Sequence, residues 1–171
     1  MARKVEFNLN LTPFLEKLKG AAQSEFKKEI ALFLEKCGFD LLRIVKEEII
    51  HRKVMDTRLL LGSFDAGSDN NVWEATEGGL TLEVGTSVAY ADYVNDGHWT
   101  NPKGVEVRWV PGRWEGDRFI HDPNAKTGMA LKQHWVEGAH YWDSAVKILE
   151  KMFPKILEEM LQEWINKYFG E

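Results

Sequence analysis

The chain has 171 residues, of which 44% are hydrophobic and 29% are charged, and its formal net charge is −5. This composition is typical of one soluble globular domain that buries a core without disulfides or metals. The acidic balance argues against a general nucleic-acid binder, because neutralising phosphates requires a basic surface. A single cysteine excludes a disulfide framework and a cysteine-based zinc site. We predict one domain over residues 1–171.

The charges are divided unevenly along the chain. Residues 1–60 carry 12 basic and 9 acidic side chains, whereas residues 61–171 carry 10 basic and 18 acidic ones. This polarity favours head-to-tail contacts between copies, although an uneven solvated surface explains the same counts. The opening MARKVEFNLNLTPFL lacks the apolar run of a secretion signal, and no window has the roughly 18 apolar residues of a membrane span. We expect a chain used inside a cell, with no membrane partner.

Helices are predicted in the first part of the chain. Thr12 and Pro13, followed by Gly20, predict a short capped helix. A long helix is predicted over residues 24–54, and Gly38 inside it indicates either a bend or a close packing contact. The apolar stripe of this helix consists of Ile30, Leu34, Cys37, Leu41 and Ile44.

A long helix is also predicted from Tyr141 onward, and we expect Pro154 to kink it. Its apolar stripe consists of Ala145, Leu149, Met152, Ile156, Met160, Trp164 and Tyr168.

Alternating patterns in the middle of the chain predict a small antiparallel sheet. Leu80, Leu82 and Val84 alternate with polar residues, and the glycines at 78–79 suit a tight hairpin turn. Further strands are predicted over residues 105–109 and 113–120. Residues 121–132 lack periodicity and are predicted to form a mobile loop. The fold class is therefore α+β, with an N-terminal long helix, a small antiparallel sheet with a hairpin, and a long kinked C-terminal helix.

Signals of catalysis are weak. A metal-dependent hydrolase that uses histidines and aspartates between residues 98 and 140 is one alternative function. The histidines do not have the spacing of paired ligands on a helix, and no calcium loop, nucleophile elbow or phosphate loop is present. Cys37 lies on an apolar stripe, which predicts a buried, inert thiol. We assign no catalytic, cofactor or metal residue and expect a non-enzymatic protein. The conceivable ligands are His98, His121, His134, His140, Asp117 and Asp122.

Arginines recur every five residues, at Arg108, Arg113 and Arg118. They either line an anion-facing surface or, because acidic residues interleave with them, form a salt-bridged strand surface.

The stretch AYADYVNDGHWT, residues 89–100, is either a catalytic pocket or an architectural corner. Tyr90 and Tyr93 have the spacing of one helical turn, which Gly97 would end. His98 and Trp99 follow directly. The chemistry of these residues favours an aromatic corner packed against the sheet, with His98 as its polar tip.

The same stretch resembles a pattern of Tyr-Ala-x-Tyr-Val-Glu-x-Gly-His that is found in a family of minor tail components of tailed bacteriophages and prophages. Asn95 stands where that family usually has glutamate. Upstream, the family's Asp-Thr-Gly-x-Leu-x-x-Ser is matched by Asp56, Thr57, Leu60 and Ser63, with Arg58 in place of the glycine. Downstream, VEGAHYWDSAVKIL resembles the family's return into its last helix.

This resemblance implies a non-enzymatic tail-completion or head–tail joining protein. It implies a homo-oligomeric ring, expected to be six-fold, at the neck between the head connector and the tail terminator or tube, with DNA passing through the lumen. The expected location is the virion, after assembly in the bacterial host cytoplasm. A small mobile-element adaptor protein is a further alternative. We assign the oligomer or partner interface to Tyr90, Tyr93, Asn95, Gly97, His98, Trp99, Arg108 and Arg113, and expect the loops 99–104 and 121–132 to contact partners.

Overall fold

The computed structural model describes residues 3–8, 21–54, 58–76 and 80–169. Its helices are α1 (Ala21–His51), α2 (Leu59–Gly62), α3 (Ala91–Asp96) and α4 (Tyr141–Phe169). Its strands are β1 (Arg3–Asn8), β2 (Asn71–Thr76), β3 (Thr81–Thr86), β4 (Gly97–Trp99), β5 (Val107–Glu115), β6 (Arg118–His121), β7 (Gly128–Lys132) and β8 (Trp135–Glu137). This mixture confirms the predicted α+β class. The predicted helix 12–20 and the predicted turn 78–79 lie outside the described residues.

Two compact units can be distinguished. The larger, called the core unit here, comprises Met1–Asn95 and Ala139–Glu171, and the smaller, called the β unit, is Asp96–Gly138. That the whole chain folds as a single domain stays a prediction. Within its described part, no helix combines the length and the hydropathy that a membrane crossing requires.

The two long helices form the centre of the core unit and run antiparallel. Phe26, near the start of α1, packs edge-on against Trp164, near the end of α4, with ring centroids 4.7 Å apart. Phe33 also packs against Phe153, with tilted rings whose centroids are 5.5 Å apart. The stripe predicted on α1 is buried, which confirms the helical periodicity. The stripe on α4 is buried at Ala145, Leu149 and Trp164 but exposed at Met152, and the helix is continuous through Pro154.

A three-stranded antiparallel sheet packs on α1, in the order β1-β3-β2. The β2–β3 hairpin confirms the prediction, and Leu82 and Val84 of the central strand are buried. Gly38 of α1 lies directly against this sheet. A Cβ atom at that position would lie 2.8 Å from the side chains of both Leu82 and Trp73. Of the two roles predicted for Gly38, the structure therefore confirms the close packing contact.

Strand β1 was not predicted from the sequence. Its pattern is short: Val5 and Phe7 are half-buried and pack against the core, while Lys4 and Glu6 are exposed. Two apolar residues are too weak a signal for a strand, and their pairing with β3 is a long-range contact that no local pattern reports.

A buried chain of hydroxyl groups ties α2 to the end of β3. Ser63 Oγ donates to the carbonyl oxygen of Leu60 at 2.7 Å, and Thr86 Oγ1 donates to Ser63 Oγ at 2.8 Å. The backbone N–H of Val88 in turn donates to Thr86 Oγ1 at 3.1 Å. Leu60 and Ser63 of the first family motif therefore have a structural role. Asp56 and Thr57 lie outside the described residues.

In the β unit, β5 is the central strand of the sheet β6-β5-β7, and β4 pairs with β8. The strand predicted over residues 105–109 is confirmed from Val107 and extends to Glu115. The strand predicted over 113–120 is wrong at its centre, because Gly116, with φ of 61°, lies in a turn between β5 and β6. The loop predicted over 121–132 is wrong for Gly128–Lys132, since β7 pairs there with β5. The mobility of residues 121–132 stays a prediction.

Arg58, where the family motif has glycine, supplies a prediction of stability. Its φ is 61° and its ψ is 0°, a left-handed conformation that costs a residue with a Cβ about 1–2 kcal/mol. The greater freedom of glycine in the unfolded chain offsets part of this gain. We expect Arg58→Gly to stabilise the protein by about 0.5–1 kcal/mol in urea unfolding.

The matched control is Arg43→Gly, which places the same change inside helix α1. This variant should lose about 1 kcal/mol. An Arg58→Gly protein less stable than the wild type would contradict the strained backbone.

Candidate functional site

The corner at residues 89–100 buries one face of α3 and exposes the other. Ala91 and Asn95 point into the core, where the hydroxyl of Tyr141 donates to the carbonyl oxygen of Ala91 at 3.3 Å. Tyr90 and Tyr93 lie on the opposite face, and Tyr93 is 59% exposed. The predicted helical turn is confirmed. The sequence favoured tyrosines packed against the sheet, whereas the one-turn spacing of the two residues places both on the solvent side.

Asn95 holds the start of the last helix. It is fully buried, its Oδ1 accepts the backbone N–H of Trp142 at 2.8 Å, and its Nδ2 donates to Asp143 Oδ2 at 3.1 Å. The backbone N–H of His140 also donates to the Asn95 carbonyl at 2.9 Å. Asn95 therefore caps α4 from a distant part of the chain, as a side-chain oxygen at a helix N-terminus does. The Asn95 side chain is therefore not exposed at this corner, and its interface role stays a prediction.

Asp143 lies in the first turn of α4, next to this cap, and basic side chains lie close to its carboxylate. Arg3 Nη1 lies 4.0 Å from its Oδ1, and His140 Nδ1 lies 3.3 Å from its Oδ2. Arg3 Nε also pairs with Asp92 at 2.9 Å, which connects β1 to α3. Burial alone would raise the pKa of Asp143, but the hydrogen bonds from Asn95 and His140 and the charge of Arg3 hold it below its usual value.

The remaining corner residues belong to a short ladder of the β unit. Gly97 has φ of 87°, and a Cβ atom there would lie 2.6 Å from the carbonyl oxygen of Val136. Only glycine fits this position, for reasons of both conformation and space. His98, predicted to follow the turn, pairs with Val136, and the ring of Trp99 packs edge-on against Trp135 at 5.4 Å.

The predicted interface arginines lie on β5 and differ in their surroundings. Arg113 pairs with Glu115 at 3.0 Å and approaches Asp122 at 3.8 Å, as expected of a salt-bridged strand. Arg108 is exposed and makes no ion pair with the described residues.

The histidines proposed as metal ligands do not converge. His98 lies on β4 and His121 on β6. His134 is hydrogen-bonded to Thr100 beside β8, and His140 precedes α4. No group of three metal-ligating side chains exists in the described ranges. Burial raises the pKa of the Cys37 thiol to about 11, which confirms the prediction of a buried thiol with little thiolate at neutral pH.

The main surface feature is one that the sequence analysis missed. Among residues 96–138, all of which the structure describes, no hydrophobic side chain is buried. The apolar side chains of the β6-β5-β7 sheet are therefore at most half-buried, whereas an antiparallel sheet ordinarily packs one face on a core. Four tryptophans are largely exposed: Trp99, Trp109, Trp114 and Trp135. The repeat of Arg and Trp in RWVPGRWE was the available signal, since tryptophan and arginine are enriched in interfaces.

The fold and this surface define an α+β protein with an aromatic β unit that lacks a core of its own. A family model described as "Bacteriophage HK97-gp10, putative tail-component" matches residues 11–97. The "Phage-like element PBSX protein XkdI" of Bacillus subtilis (strain 168) is 49% identical over 150 residues, which cover 88% of this chain and 92% of that protein. The chain belongs to this family of phage tail components, and the resemblance found in the sequence is confirmed.

A second relative is the "Uncharacterized protein YqbI" of Bacillus subtilis (strain 168). It is 48% identical over 162 residues, which cover 93% of this chain and 97% of that protein. No solved structure matches the chain with significance.

The cap made by Asn95 supplies a prediction of stability and its pH dependence. Because the pKa of Asp143 is lowered in the folded state, its interactions stabilise the fold above the unfolded pKa, and this contribution is lost as the pH falls through the folded pKa. Asn95→Ala should cost about 1–2 kcal/mol at pH 7 in urea unfolding. The cost should shrink in acid, once the Asp143 carboxyl is protonated.

Asn166→Ala is the control, because Asn166 is exposed and only accepts a hydrogen bond from Gln162. It should stay within about 0.5 kcal/mol of the wild type. An equally small effect of Asn95→Ala would show that the cap does not hold α4.

Proposed function

We propose that this chain is a non-enzymatic structural component of a phage or prophage particle that completes the tail and joins it to the head. In this role, copies of the chain form a ring, expected to be six-fold, at the neck. The ring contacts the head connector on one side and the tail terminator or tube on the other, and DNA passes through its lumen. The protein is assembled in the bacterial cytoplasm and is located in the virion.

Membership of a phage tail-component family supports a structural role in the particle. A relative that covers nearly the same length carries the name of a protein of a phage-like element. The net charge of −5 suits a ring that lets DNA pass without gripping it, because a tight grip requires a basic lumen.

The observation that carries the proposal is the uncovered β unit. A stretch of this size rarely supplies a stable core by itself, and here no hydrophobic side chain is buried and four tryptophans are exposed. Contiguous exposed apolar surface marks a site of contact with another protein. Assembly with neighbouring copies and tail proteins would supply the missing layer.

Of the predicted interface residues, Tyr90, Tyr93, Trp99, Arg108 and Arg113 have the exposure that a contact surface needs. Gly97 and His98 contribute to this contact surface indirectly, because they belong to the β4–β8 ladder that positions Trp99. We keep loops 99–104 and 121–132 as partner-contact segments, the second reduced to residues 122–127 by the strands on either side.

The neck role is tested by deleting the gene from the element that encodes the chain. We expect lysates with separate heads and tails in electron micrographs, and restoration of joined particles by the wild-type chain. Trp99→Ala should fail to restore joining although its melting temperature stays close to that of the wild type, because Trp99 is 54% exposed and packs against Trp135 at the surface.

The control is Phe39→Ala, which removes an exposed ring from the core unit and should restore joining. Joined particles in the deletion strain would contradict the neck role. If Trp99→Ala joins heads to tails, or fails only because it melts earlier, the corner is not an interface.

A further inference from the structure

The core unit carries an open apolar groove between β1, α1 and α4. Its volume is about 280 Å³, and its floor is formed by Phe7, Leu41, Leu149 and Phe153. Two acidic side chains, Glu6 and Glu150, stand at its rim. Both are exposed, and neither makes an ion pair or a hydrogen bond with the part of the chain that the structure describes.

Pro154 removes one backbone hydrogen-bond donor beside this groove. In a helix, the N–H of residue 154 would donate to the carbonyl oxygen of residue 150. Proline has no N–H, so the carbonyl of Glu150 lacks its intrahelical donor at the edge of the groove. The groove therefore suits a large apolar side chain that carries an N–H donor, with a cation nearby for Glu6 or Glu150. Tryptophan is the side chain that combines a large apolar surface with one N–H donor and no acceptor.

The β unit presents such a group on one face of β5. Trp109 is 59% exposed and Val107, two residues before it, is 54% exposed on the same face. Lys132 of β7 pairs with Val107 across the sheet, so its ammonium group lies beside this face. Lys132 is exposed and makes no ion pair among the described residues.

Trp109 is also held in place for contact. Its ring covers Gly128, where a Cβ atom would lie 2.8 Å from the indole atoms Cε2 and Cζ2. Of the four exposed tryptophans of the β unit, it is the one that contacts no other aromatic ring in the described residues. A side chain that is already ordered loses little entropy on binding.

We infer that Trp109 of one copy docks into the groove of a second copy of this chain, an inference that rests on the self-association in the proposed function. The indole N–H donates to the carbonyl oxygen of Glu150, which has no i+4 donor, and Lys132 pairs with Glu6 or Glu150. The two surfaces are different, so the contact is head-to-tail. A head-to-tail contact passes from copy to copy and closes into a ring when the rotation between copies permits.

The test uses two variants of the full chain. The face variant is Trp109→Ala, and the groove variant carries Glu6→Lys and Glu150→Lys together. In sedimentation velocity the wild type should self-associate, and each variant alone should associate at least tenfold more weakly. An equimolar mixture should form dimers of one copy of each variant and nothing larger, because only one pair of intact surfaces is left.

The matched control is Trp114→Ala, a tryptophan of equal exposure five residues along the same strand. It should associate like the wild type, and every variant should keep the wild-type melting temperature.

Three results would overturn the docking. They are a mixture that stays monomeric, variants that associate as strongly as the wild type, and a wild type that is monomeric at every concentration. If the wild type is monomeric and Trp109→Ala lowers the melting temperature, the tryptophan occupies the groove of its own chain. None of these results tests the neck role. The gene-deletion experiment tests that role independently of this contact.

Discussion

The structure depends on the antiparallel packing of α1 against α4, with the sheet β1-β3-β2 beside them. Every buried hydrophobic side chain among the described residues belongs to this core unit. The helices contribute aromatic contacts along their length, from Phe26 and Trp164 at one end to Phe33 and Phe153 further along. Gly38 lets the sheet approach α1, because any larger residue would meet Trp73 and Leu82. Burial of apolar surface is the main favourable contribution to folding, and here it is confined to one unit.

The core unit also contains the residues on either side of the segment that forms the β unit. The chain leaves after α3 and returns before α4, and backbone hydrogen bonds join the exit to the return. The N–H of Ala139 donates to the carbonyl of Val94 at 2.8 Å, and that of His140 donates to Asn95 at 2.9 Å. The Asn95 side chain and the charges around Asp143 strengthen the junction. The segment that forms the β unit thus begins and ends at a hydrogen-bonded junction of the core unit.

The helices could be predicted from the sequence because their signals are local. The three-or-four spacing of Ile30, Leu34 and Leu41 indicated a buried helix face before any contact was known, and the alternation of Leu82 and Val84 indicated a half-buried strand. Strands β1, β4, β7 and β8 could not be predicted, since each offers at most two apolar residues in alternation. Their formation depends on backbone pairing with distant strands, such as Gly97 with Glu137.

The site was predicted only in part. The sequence located the corner and the exposed Trp99, and it placed Arg113 among acidic neighbours. It could not separate Tyr93, which faces solvent, from Asn95, which is buried two residues later, because that difference is set by the packing of α3 on Tyr141. The repeat of Arg and Trp in β5 is typical of interfaces, but it could not indicate how exposed these tryptophans are, since exposure is a property of the whole fold.

The central claim is that the β unit becomes stable through assembly rather than through a core of its own. Amide hydrogen exchange, compared residue by residue between the free chain and the assembled protein, tests this most directly. We expect α1 and α4 to be protected in both states, and the amides of β5 and β7 to exchange rapidly in the free chain and slowly after assembly. A β unit that is as well protected as α1 in the free monomer, or whose exchange is unchanged by assembly, would contradict the claim.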